Sequence, residues 1–426
     1  MNQFQTSPRL LSLLLILILA SAPLVSAKPA KRSSKVPQRS ATTASKKKAP
    51  ATTARKGAPV SAKKKKPGAR GARVRTVSYT ASRNNLVAGG PWKEPTFADS
   101  TSGDRIDGED LTVRRAAVEA IGPYNGSVVV ADPQTGRILT IVNQKVAFSA
   151  GFQPCSTVKI VTALAGLSEG VIDRNTPQKI YGRVTMTLTD ALAKSNNPYF
   201  SNVGVKLGFD KIAHYAKMYG LGEKAGLNID DEQPGLLPQT APKFGGVGMM
   251  TSFGEGIKLT PLQLTALVSA IANGGTLYYL QYPKTELEAS KLQPKVKRHL
   301  PIAQVIPELT PGMLGATEYG TARRAAYDTN EPIFGKTGTC TDRDTPTHLG
   351  WFGSFQEIGG RKLAVVVLLT GGRYVNGPTA SGVAGQIYRT LSQQKAWIKT
   401  AQNTAIPMED LTAYMPEVVP TLTGTW

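Results

Sequence analysis

The order of apolar and polar positions predicts a helix followed by a β-hairpin in the stretch 112–142. Apolar residues recur at helical spacing from 112 to 121, and Gly122-Pro123 then ends the pattern. Two β-rich runs follow at 127–131 and 137–142, and the residues between them favour a turn.

The remaining pattern separates helices in the middle of the chain from strands near its end. An apolar segment at 155–167 predicts a helix, and 189–220 predicts two or three more. Three β-rich runs span residues 333–341, 349–355 and 363–369, and a final helix is predicted over 380–393. Because the strands lie at both ends, the pattern predicts an α/β (α+β) fold in which one antiparallel five-stranded sheet is flanked by helices and carries a helical subdomain.

Positive charge is concentrated ahead of this predicted domain. The chain has 426 residues and a formal net charge of +22, and seventeen Lys or Arg but no Asp or Glu lie between Lys28 and Arg75. The rest of the chain therefore carries only about +5. Residues 28–80 contain little that a core would bury, so they are predicted to be a disordered basic linker. The segment is interpreted as a solvated linker that also adheres to an anionic lipid or wall surface.

The N-terminus is typical of an export signal. Arg9 precedes an apolar run at 10–19, and Val25-Ser26-Ala27 supplies the small residues that a signal peptidase requires. We therefore expect a signal peptide over 1–27, cleaved after Ala27, and a location in the periplasm or cell envelope. The alternative is an uncleaved membrane anchor over 10–25. Export also argues against nucleic acid as the partner of the basic linker.

Three short motifs carry candidate chemistry. In the first, Ser156 and Lys159 lie three residues apart at the start of a predicted helix, so that the lysine amine can reach the hydroxyl. The second is Ser195-Asn196-Asn197. The third is Lys336-Thr337-Gly338-Thr339 on a predicted strand, where Lys336 supplies a second cation and Gly338 leaves room for a substrate beside the strand. A lysine can act as the base for a serine when burial and a neighbouring cation lower its pKa.

In this order the motifs resemble the serine penicillin-binding proteins and β-lactamases, and the segments around them are similar to the transpeptidase branch. These segments are Phe152–Thr157, Ser195–Phe200, Gly254-Glu255-Gly256, Leu259–Gln263, Ile271–Gly275 and Gly320-Thr321-Ala322. The resemblance covers about 113–395, which becomes the predicted penicillin-binding transpeptidase domain with a β-lactamase/transpeptidase-like fold. Residues 81–112 are then an N-terminal extension and 396–426 a C-terminal tail. Only 39 residues separate Ser156 from Ser195, so a reduced helical subdomain is expected.

The resemblance implies a role for each motif residue. Ser156 would attack the penultimate D-Ala of a peptidoglycan stem peptide, with Lys159 as its base and Ser195 as the proton relay to the leaving D-Ala. Asn197 would hold the substrate amide. The other substrate-binding residues are Lys336, Thr337, Gly338 and Thr339, of which Lys336 and the two threonines hold the terminal carboxylate.

The resemblance also implies an oxyanion hole formed by the backbone N–H groups of Ser156 and Thr339. The neighbouring residues Cys155 and Cys340 would then lie close together, and an exported protein can form a disulfide between them. Similar cysteines flank the same two motifs in some class A carbapenem-hydrolysing β-lactamases.

Three other functions stay open at this point. A serine β-lactamase and a DD-carboxypeptidase both use the same acyl-enzyme, and the non-enzyme alternative is a β-lactam or muropeptide sensor or a wall-binding module. No cofactor is expected. No metal site is expected either, because His214, His299 and His348 lack the spacing of metal ligands. No role is assigned to Glu255.

Overall fold

The computed structural model describes residues 92–342 and 345–394. The predicted signal peptide, the basic linker and the C-terminal tail lie outside the described residues, as does the first part of the predicted extension 81–112. The helices are α1 (Leu111–Ile121), α2 (Gln144–Ala147), α3 (Lys159–Ser168), α4 (Leu188–Ala193), α5 (Asn197–Leu207), α6 (Phe209–Met218), α7 (Gly246–Phe253), α8 (Pro261–Ala272), α9 (Glu286–Lys291), α10 (Ile306–Glu318) and α11 (Gly377–Gln393). The strands are β1 (Gly126–Ala131), β2 (Ile138–Val142), β3 (Gln178–Tyr181), β4 (Val184–Met186), β5 (Thr276–Tyr278), β6 (Val296–His299), β7 (Phe334–Asp342), β8 (Thr347–Ile358) and β9 (Arg361–Gly371).

One five-stranded sheet organises the described domain. Its order is β2-β1-β9-β8-β7, and every neighbouring pair is antiparallel. The last strand along the chain, β9, therefore lies between the first hairpin and the hairpin of β7 and β8. This arrangement confirms the predicted α/β fold with an antiparallel five-stranded sheet, and it leaves β7 as an edge strand.

Alternating side chains of the central strand face two separate cores. On β9, Ala364, Val366 and Leu368 pack with the helices of the middle of the chain, whereas Val365 and Val367 pack on the opposite face with α1 and α11. All five residues are fully buried. A strand that is buried on both faces has a continuous run of apolar residues, and the sequence 363–369 is such a run.

The apolar helix α8 is fixed at its start by a reciprocal cap. Thr260 accepts from the backbone N–H of Gln263, and the Gln263 side chain accepts from the backbone N–H of Thr260. Pro261 occupies the first helical turn, where its missing N–H costs nothing. The motif Leu259–Gln263 is therefore a helix start, and it sets the direction of a helix whose residues are all buried against the sheet.

The described part of the N-terminal extension lies against the same sheet. The Glu109 carboxylate accepts from the Thr140 hydroxyl and from the Ile141 backbone N–H, at 2.6 Å and 2.9 Å. Thr96 accepts from the Asn125 N–H with its backbone oxygen. Within the described residues, no helix has both the length and the apolar character that crossing a membrane requires.

Candidate active site

The candidate nucleophile lies in a tight turn rather than in the α-helix itself. Cys155–Val158 forms a 3-10 turn, and α3 begins directly after it at Lys159. The sequence pattern predicted one helix from 155 to 167, so its first turn has a different winding from the prediction. Cys155 adopts a left-handed backbone with φ of 52°, which is uncommon for a residue with a side chain. Ser156 follows it and is 9% exposed.

Three polar groups surround the amine of Lys159. Its Nζ lies 2.5 Å from Oγ of Ser156, 2.6 Å from Oδ1 of Asn197 and 2.8 Å from the backbone oxygen of Ser252. The side chain is completely buried, and the rings of Phe200 and Phe253 lie 5.9 Å and 5.7 Å from the nitrogen. Within the described residues, no carboxylate forms an ion pair with this amine.

The electrostatic surroundings of Lys159 favour its neutral form. Burial lowers its pKa well below the ordinary lysine value, and the positive charge of Lys336 lowers this pKa further. A lysine in these surroundings has the property that a general base for a serine needs.

Ser195 and Lys336 form the second polar pair of the site. The Nζ of Lys336 donates to Oγ of Ser195 at 2.8 Å and to the backbone oxygen of Thr337 at 2.9 Å. Ser195 has a left-handed backbone with φ of 57° and precedes α5, which Asn196 caps by accepting from the Tyr199 N–H. Lys336 is completely buried, and this burial lowers its pKa to about 7.

Asn197 contacts the base directly. Its side-chain oxygen accepts from Lys159, so one half of the amide helps to position the lysine. Within the described residues, its side-chain NH₂ group has no hydrogen-bond partner, and this donor is available to a ligand. Asn197 can therefore orient Lys159 and bind a substrate carbonyl at the same time.

The hydroxyls of strand β7 are already engaged with the protein. Thr337 Oγ1 lies 2.5 Å from Oγ1 of Thr321, and Oγ1 of Thr339 accepts from the Gly377 backbone N–H at 2.8 Å. The Thr339 hydroxyl hydrogen has no acceptor among the described residues. Thr339 is exposed, so this donor is open to solvent or to a ligand.

Gly338 lies where strand β7 meets the turn that carries Ser156. A Cβ atom at this position would lie 2.9 Å from the Pro154 backbone oxygen and 3.2 Å from Cγ2 of Thr157. The missing side chain thus lets β7 approach this turn. That Gly338 also leaves room for a substrate beside the strand stays a prediction.

A disulfide joins the turn to the strand. Cys155 is bonded to Cys340, and their Cα atoms lie 5.5 Å apart although 185 positions separate them in sequence. It therefore ties together the residues directly beside Ser156 and Thr339.

Sequence reasoning assigned no role to three groups of the site. The Ser252 backbone oxygen comes from the last turn of α7. The only feature of the sequence that pointed to this region is the motif Gly254-Glu255-Gly256, which follows it. Thr321 was noted as part of a similar segment, and Gly320 allows that segment to approach Ala193, because a Cβ there would lie 2.2 Å from the Ala193 oxygen. Gly377 is the first residue of α11, and no pattern in the sequence indicated that it would contact the site.

Comparison with known families bears directly on this geometry. The family model described as the penicillin binding protein transpeptidase domain matches residues 126–393. The chain belongs to this family. The match begins at β1 and ends with α11, so it contains the whole five-stranded sheet and all the residues of the candidate site.

Two relatives illustrate the extent of the similarity. Stage V sporulation protein D of Bacillus subtilis is 30% identical over 253 residues, which are 52% of this chain and 39% of that protein. The peptidoglycan D,D-transpeptidase PbpA of Mycobacterium tuberculosis is 27% identical over 334 residues, which are 63% of this chain and 67% of PbpA. The chain thus matches about two fifths of the length of the first relative.

Solved structures share the fold. The Pseudomonas aeruginosa PBP2 in complex with WCK 5153 has a TM-score of 0.57 and 22% identity, with 68% of this chain and 76% of that chain covered. The ceftriaxone acyl-enzyme complex of penicillin-binding protein A from M. tuberculosis has a TM-score of 0.54 and 22% identity, with 67% and 79% covered. Together with the family match, they show a penicillin-binding transpeptidase fold.

Proposed function

We propose that this protein is a peptidoglycan DD-transpeptidase that acts on D-Ala-D-Ala stem peptides through an acyl-enzyme on Ser156, and that β-lactams acylate the same residue. The observation that carries the proposal is the buried amine of Lys159, 2.5 Å from the Ser156 hydroxyl and without a carboxylate partner in the described domain. A serine hydroxyl becomes an effective nucleophile when such a base takes its proton.

The contacts of Lys159 suit a neutral amine. A neutral amine has two N–H bonds and one lone pair. Two N–H groups donate to Asn197 and to the Ser252 backbone oxygen, so that the lone pair is left for the Ser156 O–H. Lys159 then takes the proton when Oγ attacks the carbonyl carbon. Burial, and in addition the charge of Lys336, lower the pKa of this amine and so favour the neutral form that the step needs.

In this proposal, the terminal carboxylate of the substrate is bound by Lys336, Thr337 and Thr339. Lys336 supplies positive charge and donates a hydrogen bond to the Ser195 hydroxyl. Ser195 passes a proton to the departing D-Ala. The backbone N–H groups of Ser156 and Thr339 stabilise the oxyanion, and a single donor of this kind contributes about 3–4 kcal/mol in measured enzymes.

Mass spectrometry of the penicillin-treated protein tests the assignment of nucleophile and base. We expect one adduct, mapped to the peptide that contains Ser156, and none in Ser156→Ala. Lys159→Arg should also remain unlabelled, because a guanidinium cannot release its proton at neutral pH. An adduct that persists in Ser156→Ala, or wild-type labelling of Lys159→Arg, would show that another pair carries the reaction.

The lifetime of the adduct separates the transpeptidase from its closest alternatives. A stable label supports the transpeptidase, and rapid release of hydrolysed penicillin supports a β-lactamase. Release of D-Ala from a stem peptide without formation of a new amide bond would support a carboxypeptidase. Because the chain is proposed to act on peptidoglycan, we further propose that it works in the cell envelope.

A further inference from the structure

The loop after α7 runs along the segment that carries the nucleophile. The Ser252 oxygen accepts from Lys159, and the Phe253 oxygen accepts from Nε2 of Gln153 at 3.1 Å. Gly254 then lies against Pro154, where a Cβ atom would come within 2.3 Å of the proline Cγ. These three consecutive contacts place the next residue, Glu255, beside the nucleophile turn.

Two glycines fix the backbone on either side of Glu255. Gly254 and Gly256 both adopt left-handed conformations, with φ of 72° and 77°. A Cβ atom on Gly256 would lie 3.1 Å from Cγ of Pro242, so the loop is held between two prolines. Substitution of either glycine would therefore displace the carboxylate.

The carboxylate itself has no partner. No hydrogen bond or ion pair of the described residues involves the Glu255 side chain, and the residue is partly exposed. Other acidic groups near the described core are paired, as Asp342 is with Lys258 at 3.0 Å. A partly exposed anion on a loop that contacts the nucleophile segment, without a cation partner among the described residues, is suited to bind a cationic ligand.

We infer that Glu255 binds the acceptor of the transfer reaction as its ammonium ion. The inference rests on the proposed function, because a transpeptidase needs a primary amine to take the acyl group from Ser156. Such an amine is protonated in neutral water. Attraction to Glu255 raises its local concentration beside the acyl-enzyme, whereas water, the competing acceptor, gains nothing from this charge.

The transfer step balances without any further reactant. The bound ammonium first gives one proton to solvent. The amine nitrogen then forms a bond to the acyl carbon, and the bond from that carbon to Oγ of Ser156 breaks. The second proton that the nitrogen loses passes through Lys159 to Ser156, which regenerates the free hydroxyl.

The test measures how the full-length protein partitions an acyl-enzyme between amine and water. The donor is a D-alanyl thioester, and the acceptor is an Nα-acetylated diamino acid kept below saturation. In Glu255→Gln we expect at least a ten-fold lower ratio of amide product to hydrolysis product, with an unchanged rate of acylation by penicillin. The matched control is Glu119→Gln, which removes an exposed carboxylate from α1 on the opposite face of the sheet.

The dependence of the product ratio on ionic strength is an independent test. Raising the ionic strength should lower the ratio in the wild type but not in Glu255→Gln, because screening weakens an exposed charge pair. An unchanged ratio in Glu255→Gln would overturn the inference while leaving the acyl-enzyme proposal intact. So would an equal loss of amide formation and hydrolysis, which would make Glu255 a base for both acceptors. Absence of acylation in the wild type would instead refute the proposed function.

Discussion

Lys159 and Lys336 have the same side chain and are equally buried, and their partners decide what each one does. Lys159 contacts a serine hydroxyl and two carbonyl oxygens in a pocket walled by phenylalanine rings. Lys336 contacts the hydroxyl of Ser195 and the backbone oxygen of Thr337. In the proposed reaction, Lys159 is therefore the lysine that loses a proton, and Lys336 is the one that supplies positive charge.

The pH dependence of penicillin acylation should reveal both lysines. Acylation needs neutral Lys159, so the second-order rate constant should rise with pH through the lowered pKa of that residue. It also needs charged Lys336, whose pKa of about 7 should make the rate constant fall again at higher pH. We expect a bell-shaped profile, measured as the second-order rate constant because this quantity reports the free enzyme.

The variant Lys336→Arg tests whether Lys336 causes the decrease of the acylation rate constant at high pH. Arginine stays protonated throughout the accessible range, so the decrease above neutral pH should disappear even if the plateau is lower than in the wild type. A falling limb that persists unchanged in Lys336→Arg would mean that another group causes it.

At the scale of elements, the site is a contact between the nucleophile turn and the edge strand β7. Gly338 lets the strand approach, Cys155 and Cys340 bond the two segments, and Gly377 at the start of α11 donates to Thr339. The turn and the strand are far apart along the chain, since 185 positions separate Cys155 from Cys340. Their alignment therefore depends on long-range contacts, of which the disulfide is the covalent one.

Reduction of the disulfide should lower both stability and acylation rate. The chain-entropy argument gives an upper value of about 5 kcal/mol for a bond that closes a loop of 185 residues. Thermal unfolding with and without reductant measures the first effect, and penicillin labelling kinetics measure the second. The expected result is a lower Tm and slower labelling in the reduced protein.

The double variant Cys155→Ser with Cys340→Ser is the control for this experiment. It should resemble the reduced wild type, and reductant should not change it further. If the reduced wild type kept its Tm and its labelling rate, the disulfide would have no part in aligning turn and strand.

At the scale of the whole molecule, positive charge and chemistry lie in different parts of the sequence. Seventeen of the cations lie between Lys28 and Arg75, which is outside the described residues, whereas the candidate site lies between 155 and 339. A basic segment attracts anionic surfaces through charge that salt screens, and we expect the proposed reaction at Ser156 to proceed without it.

Removal of residues 28–80 should separate acylation from surface binding. Penicillin labelling of Ser156 should be unchanged, and binding to anionic vesicles or wall fragments should weaken at low salt. Sedimentation of the protein with vesicles at two ionic strengths provides the measurement. Equal binding of both proteins at low and at high salt would reject a role for this segment in surface adhesion.

Local patterns of the sequence predicted the five strands of the main sheet and several of the helices, but not the elements between 246 and 318. The run 363–369 predicted a strand, and Asn196 and Thr260 at helix starts have the residue types that cap helices. The turn at Cys155 was also missed, because one left-handed residue at the start of a 3-10 turn leaves no signature in an apolar segment that otherwise favours an α-helix.

The sequence by itself was enough to propose which residues carry the chemistry, because motif spacing and residue type are local properties. Only the tertiary structure decided that the Ser252 backbone oxygen holds Lys159 and that Thr321 meets Thr337. It also decided that the missing side chain of Gly338 lets strand β7 approach the nucleophile turn. Each of these contacts joins segments that are far apart along the chain, and their geometry is set by how the helices pack on the sheet.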